Sequence, residues 1–296
     1  MLTQPKPSLG DWIAGARPRT LPAAIVPVAV GAGVAIGTHG ADVVWWRVLV
    51  ALAVSLLLQI GVNYANDYSD GVRGTDNVRV GPMRLVASGT ATPSAVKRAA
   101  LGCLGLAAVA GLTLAATTSW WLLLIGLAAI LAAWGYTGGP KPYGYLGLGE
   151  LFVFTFFGLV ATVGTTYVAI EDVPWVAWPA ACGVGFLACA LLVVNNLRDI
   201  PTDTVAGKRT LAVRVGDQWT RRLYLGLIVG AILLGFVCSI ARPWSAMAAF
   251  AGIAAFVPVR RVLACATGRE LIAVLGATAR VQLAYGALLA VGLALG

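Results

Sequence analysis

Nine stretches of this chain are apolar for long enough to cross a bilayer, and they constrain the fold more than any motif does. They lie near 21–38, 47–65, 99–117, 119–136, 151–169, 177–195, 223–240, 244–260 and 277–295. A helix of about 20 apolar residues spans the hydrocarbon core, where every backbone N–H and C=O must be paired within the protein. The reading is therefore an all-α, polytopic membrane protein with nine transmembrane helices. Charged residues make up only 11% of the chain, against about 25% in an ordinary soluble domain. Short breaks at Thr117–Ser119 and Ala241–Pro243 make the third and fourth stretches, and the seventh and eighth, tight hairpins.

Charge placement orients these spans. With the N-terminus in the cytoplasm, all 21 Lys and Arg residues except Arg47 and Arg242 fall on the inner side, as the positive-inside rule requires. The formal net charge of +9 is then an orientation signal carried on loops, and no soluble domain is left to bind nucleic acid. A secretory leader is disfavoured because the basic segment before the first span is long and eight more spans follow. The five cysteines (Cys103, Cys182, Cys189, Cys238 and Cys265) show no CxxC pairing, which argues for packing rather than for disulfides or zinc. His39 is the only histidine and falls on the outer side, so histidine catalysis is disfavoured.

Two polar clusters interrupt the apolar pattern at inner span ends: NYANDYSD (Asn63 to Asp70) and NNLRDIPTD (Asn195 to Asp203). On a helix, Asn63, Asn66, Asp67 and Asp70 share one stripe, and Asn195, Asp199 and Asp203 stack at successive i, i+4 positions. An ionised Asp at mid-bilayer costs roughly 2.5 to 3.5 kcal/mol, so such residues belong at helix ends, in a cavity or on a cation. Oxygen-rich clusters suit Mg²⁺, which bridges one or two carboxylates to substrate phosphates. Basic residues follow each cluster: Arg73, Arg79 and Arg84 after the first, beside Asp76, and Lys208 and Arg209 after the second. Metal-holding carboxylates beside guanidinium and ammonium groups form a complementary set for a diphosphate. Arg17, Arg19 and Lys141 lie on the same side and offer a cation for a second anionic group. The segments 71–98 and 204–222 read as cytoplasmic caps over the cavity of a single transmembrane domain, 1–296. Acidic motifs four spans apart also hint at a parallel repeat.

NYANDYSDGVRGTD, GPMRLVASG, YTGGPKPYGYLGLGE and NNLRDIPTDTVAGKRTLAVRVG together resemble the UbiA superfamily of intramembrane aromatic prenyltransferases. Within it, they look most like the branch acting on 1,4-dihydroxy-2-naphthoate in menaquinone biosynthesis. The resemblance extends over nearly the whole chain. It implies nine helices around a central lipid-open cavity, two Mg²⁺ ions and a polyprenyl diphosphate donor. It also implies a bacterial plasma membrane, with the active site facing the cytoplasm. Carried over, Asn66, Asp70 and Asp76 match the first motif, and Asn195, Asp199 and Asp203 the second. Asn63 and Asp67 offer an overlapping NxxxD frame, which leaves the first-motif metal ligands open among Asn66, Asp67, Asp70 and Asp76, with Asp199 and Asp203 from the second.

The implied reaction ionises the allylic carbon–oxygen bond, and the naphthoate ring carbon bearing the carboxylate then attacks. Loss of carbon dioxide and a proton restores aromaticity and gives demethylmenaquinol or its quinone. Asp67, Asp70, Asp199 and Asp203 would form the catalytic set. Asn63, Asn66, Arg73, Arg84, Asn195, Lys208, Arg209 and Tyr136 would bind substrate, with Arg19 and Lys141 the cations freest for the acceptor carboxylate. Tyr64, Tyr68, Tyr136 and Tyr143 offer π faces to a carbocation, while the isoprenoid tail stays in lipid. A 4-hydroxybenzoate enzyme of the same superfamily is the nearest alternative. From other classes, a secondary transporter also places Asp and Asn between repeats, and a quinone-binding subunit would need apolar surface but no paired acidic motifs.

Overall fold

The computed structural model describes residues 7–75 and 84–296, in which all regular structure is helical. A short helix α1 (Leu9–Ala16) leads into α2 (Pro22–His39), α3 (Trp45–Arg73), α4 (Pro93–Thr117) and α5 (Leu122–Gly135). Next, α6 (Gly149–Val153) and α7 (Ala161–Ile170) are joined by the π-helical stretch Phe154–Val160 into one rod. After α8 (Ala177–Val205) and α9 (Leu211–Ser239), a 3₁₀ segment, Pro243–Phe250, runs into α10 (Ala251–Leu263), and α11 (Glu270–Leu295) closes the fold.

Among the described residues eight helical rods are long and apolar enough to cross a membrane. They cover every expected stretch except 119–136, which is α5, an apolar helix of 14 residues. At 1.5 Å per residue that is roughly 21 Å, short of the ~30 Å hydrocarbon core. Local chemistry sets the helix ends. Ser8 and Asp11 form a reciprocal capping box at α1, Thr92 caps α4 ahead of Pro93, and Gly74 ends α3 at φ 73°, a conformation that suits glycine.

The two expected cap segments are shorter than 71–98 and 204–222. Helix α3 continues to Arg73 and α4 begins at Pro93. In the second segment only 206–210 is irregular. There Thr210 accepts from the Val213 N–H and starts α9, so Arg214 is helical before a kink at Gly216 with φ 81°, and Arg221 and Arg222 are helical after it. Basic residues disfavour burial in lipid, but they do not disfavour helix, and the cap outweighs their charge.

Helices α2, α8, α9, α10 and α11 share the main core, built from Val, Ala and Leu with Tyr224 and Tyr285. Small residues bring α2 against α11: a methyl at Gly33 would overlap the Ala290 carbonyl, and one at Gly37 the Leu293 carbonyl. Such close backbone approach is how helices associate where burial from water offers no drive. Helices α3 and α8 are equal in length, 29 residues each, and each carries its Asn/Asp cluster near its C-terminal end.

At the opposite end Arg47 ties three helices together, donating to Glu171 at 2.7 Å, to the Thr117 carbonyl at 2.5 Å and to the Val168 carbonyl at 3.4 Å. Exposed tryptophans gather at this end: Trp45 and Trp46 open α3, Trp120 and Trp121 precede α5, Trp175 and Trp178 open α8, and Trp244 follows α9. Amphipathic indole rings favour the headgroup level of a bilayer. The fold is that of a multi-pass membrane protein.

Candidate active site

A cavity of about 890 Å³ runs from the Asn/Asp ends of α3 and α8 to apolar residues such as Leu122, Ile125 and Trp178 near the tryptophan end. Of the first cluster, Asn63, Asn66 and Asp70 line it, while Asp67 does not. A turn of about 100° per residue puts Asp70 at the centre of the stripe, with Asn66 and Asp67 on opposite flanks. Asn66 accepts from the Thr137 hydroxyl at 2.7 Å. Asp67, fully buried, accepts the backbone N–H groups of Leu85 at 2.8 Å and Val86 at 3.0 Å. Both of its carboxylate oxygens thus hold the turn that carries Arg84, at the position expected to be a metal-binding or catalytic Asp67. Asp76 and Arg79 lie outside the described residues.

Cations crowd the cavity end of α3. Lys208 Nζ is 3.4 Å and Arg84 Nη2 3.7 Å from the Asp70 carboxylate, and both side chains are buried. The Tyr145 hydroxyl donates to Asp70 at 2.6 Å, and Lys208 Nζ sits 4.8 Å from the centroid of the Tyr145 ring. Burial, with the Asp70 carboxylate beside it, holds the Tyr145 phenol above its ordinary pKa, so it stays a donor. On α8, the buried Arg198 reaches both oxygens of Asp199 at 2.7 Å and the Asn195 side-chain oxygen at 2.8 Å. This planar fork fixes two cavity-lining oxygen groups with one side chain. Asp203 lines the cavity one turn further on.

Arg73 is exposed and donates to the Thr137 and Gly139 carbonyls, so it braces the segment after α5 from outside the cavity. Arg209 is also exposed, contributing its backbone N–H to the Tyr145 carbonyl at 3.0 Å. Lys141 is exposed and does not line the cavity, whereas Arg17 and Arg19 do. Position in a short basic segment does not determine on which side of that segment a long side chain lies. Among the aromatic residues, Tyr136 and Tyr143 line the cavity. Tyr64 instead donates to the Trp12 carbonyl at 2.8 Å, and Tyr68 packs on Trp134.

The structure adds residues the motifs did not single out. Tyr145 and Thr137 come from the connection after α5, and Arg198 and Asn196 from within the second motif. Phe152 stacks on Tyr143 with ring centroids 3.9 Å apart, and Tyr143 meets Tyr136 edge-on at 5.5 Å. The signal for Arg198 was present in the sequence, since a basic residue inside an oxygen-rich helical stripe is better placed to pair with it than to orient a span.

A family profile described as the UbiA prenyltransferase family matches residues 24–275. A Mycobacterium tuberculosis protein named 1,4-dihydroxy-2-naphthoate octaprenyltransferase is 52% identical over 98% of this chain and 98% of its own length. An Escherichia coli protein of the same name is 39% identical over 75% of this chain and 74% of its own. Among solved structures, a UbiA homologue from Archaeoglobus fulgidus bound to GPP and Mg²⁺ is similar with a TM-score of 0.66 at 17% identity, covering 94% of this chain and 99% of that one.

Proposed function

The chain belongs to the UbiA prenyltransferase family, and from that premise we propose that it transfers a polyprenyl group from polyprenyl diphosphate to 1,4-dihydroxy-2-naphthoate. Carbon dioxide is lost and demethylmenaquinol, which oxidises to demethylmenaquinone, is the product. The observation that carries this reading is the inner end of the cavity, where Asp70 and Asp199 meet Arg84, Lys208 and Arg198 beneath an otherwise largely apolar wall. A transporter site or a quinone groove gives no reason for so many cations among the carboxylates. A diphosphate does.

Among the described residues no three of His, Cys, Asp and Glu converge to hold a metal by themselves. Oxygen donors spread along two helix faces fit Mg²⁺, which keeps waters and takes further ligands from phosphate. Asn66, Asp70, Asp199 and Asp203 would hold two Mg²⁺ ions, which when bound supply charge stabilisation to the leaving diphosphate. Arg84 and Lys208 bind the diphosphate oxygens and oppose the negative charge that grows as the allylic carbon–oxygen bond breaks. Tyr145 orients Asp70, and Arg198 orients Asn195 and Asp199. Tyr136, Tyr143 and Phe152 face the allylic cation and keep water from it. The ring carbon bearing the carboxylate forms the new carbon–carbon bond, and carbon dioxide leaves with its bonding pair returned to the ring. Arg19 pairs with the acceptor carboxylate.

In our reading the chain is one transmembrane domain of nine spans in a bacterial plasma membrane, N-terminus inside, with the carboxylate end toward the cytoplasm. The test is product mass after incubating the purified protein in detergent with a polyprenyl diphosphate and either 1,4-dihydroxy-2-naphthoate or 4-hydroxybenzoate, with magnesium or with chelator. Prenylation of the naphthoate with loss of 44 mass units, roughly one carbon dioxide, and only with magnesium is expected. Prenylation of 4-hydroxybenzoate alone, or no transfer to either acceptor, would overturn the assignment.

A further inference from the structure

One polar pair, Asn196 on the cavity wall and Glu150 behind it, stands apart from the residues proposed to hold the diphosphate. Asn196, 6% exposed, lines the cavity and donates its side-chain N–H to Glu150 Oε1 at 3.0 Å. Glu150 sits in the first turn of α6, its other carboxyl oxygen is buried without a hydrogen-bond partner, and no cation among the described residues pairs with it. A buried carboxyl is costly to keep unless it serves something. Here it decides which way an amide points. With its side-chain N–H donated to Glu150 Oε1, Asn196 leaves its amide oxygen toward the cavity.

The site around this oxygen suits a flat aromatic ring. A methyl at Gly149 would lie 3.2 Å from Leu192, one turn before Asn196, and 3.3 Å from the Tyr136 ring. The closeness of these groups puts Asn196 beside the wall where Phe152 stacks on Tyr143 and Tyr143 meets Tyr136 edge-on. An amide oxygen facing the cavity attracts a donor and repels a carboxylate. Resting on the function proposed above, we propose that Asn196, oriented by Glu150, accepts a hydrogen bond from a ring hydroxyl of the naphthoate. Asn196 thereby selects hydroquinone acceptors and directs electron density from that oxygen into the ring. Glu150 is a positioning residue, acting only through Asn196.

The measurement is a ratio: kcat/KM for 1,4-dihydroxy-2-naphthoate divided by kcat/KM for each monohydroxy-2-naphthoate, taken on the same preparation. Intrinsic ring reactivity and any general loss of folding cancel when this ratio is compared between proteins. Asn196→Ala lowers the ratio against one of the two analogues on the order of tenfold, the worth of one hydrogen bond in a desolvated site. Glu150→Ala lowers the same ratio by releasing the amide, and Glu150→Gln, which keeps an accepting oxygen, preserves it. The two Glu150 variants leave position 196 intact and decide the matter if the alanine at 196 does not accumulate. Unchanged ratios in Asn196→Ala, or in Glu150→Ala where that variant stands in, refute the role of Asn196. A wild-type protein that prenylates no naphthoate refutes the proposed function instead.

Discussion

On the proposed arrangement Asp67→Asn separates an anchoring carboxylate from a metal-binding one, because Asp67 and Asp70 are three residues apart in the same motif but differ in their contacts. The Asp67 carboxylate accepts two backbone N–H groups, at 2.8 and 3.0 Å, with none of its surface exposed. Hydrogen bonds to a charged acceptor contribute about 1.5 to 3 kcal/mol each. An amide keeps one acceptor at neutral strength and points an N–H at the other backbone N–H, so the net loss is about 2 to 4 kcal/mol. That is a large fraction of a typical stability of about 5 to 15 kcal/mol. The assay is apparent melting temperature in detergent alongside the magnesium dependence of turnover. Asp67→Asn should melt several degrees lower and raise the donor KM, because the turn it anchors carries Arg84, while half-maximal magnesium stays unchanged. A shifted magnesium requirement with unchanged melting temperature would refute the anchoring role and restore Asp67 as a ligand.

Asp70→Asn and Asp199→Asn should each lower turnover by several orders of magnitude even at temperatures where the variant is fully folded, and near-normal rates in both would remove the two-ion arrangement. Cysteine labelling on a Cys-free background should place positions 141 and 208 on the cytoplasmic side and 40, 172 and 242 outside. A reactive outer site at 208 would overturn the orientation. Arg19→Ala should raise the acceptor KM more than the donor KM, while the exposed Lys141→Ala should leave both within twofold; the reverse pattern would return the acceptor carboxylate to Lys141.

Helix existence was legible because lipid leaves the backbone little choice, and the two polar stripes were legible because α3 and α8 continue through them without a break. Width within a stripe was not legible. Asp67 and Asn66 flank Asp70 about equally, and only the turn at Leu85 and Val86 decides which of the two is withdrawn from the cavity. The direction of the cations was illegible for a related reason: Arg73 and Lys141 have stems long enough to reach either side of their segment, and in the structure Arg73 donates to backbone carbonyls. Tyr145 could not be distinguished from its neighbours Tyr136 and Tyr143 by spacing, because the 3₁₀ turn Tyr143–Leu146 sets its direction.

The gathering of tryptophans at one end makes the chain an optical ruler. Of its 10 indoles, seven sit at the end far from Asp70 and Asp199. Most of the indoles therefore lie away from the proposed diphosphate site. Trp178 alone among those seven borders the cavity. A short allylic diphosphate would bind at the charged end and leave the spectrum nearly unchanged, whereas an isoprenoid chain long enough to run the length of the cavity would press hydrocarbon against that one ring and shift its emission. Fluorescence titrated over donors of increasing length would then report how far along the cavity the tail lies, through a step at the length that first touches Trp178.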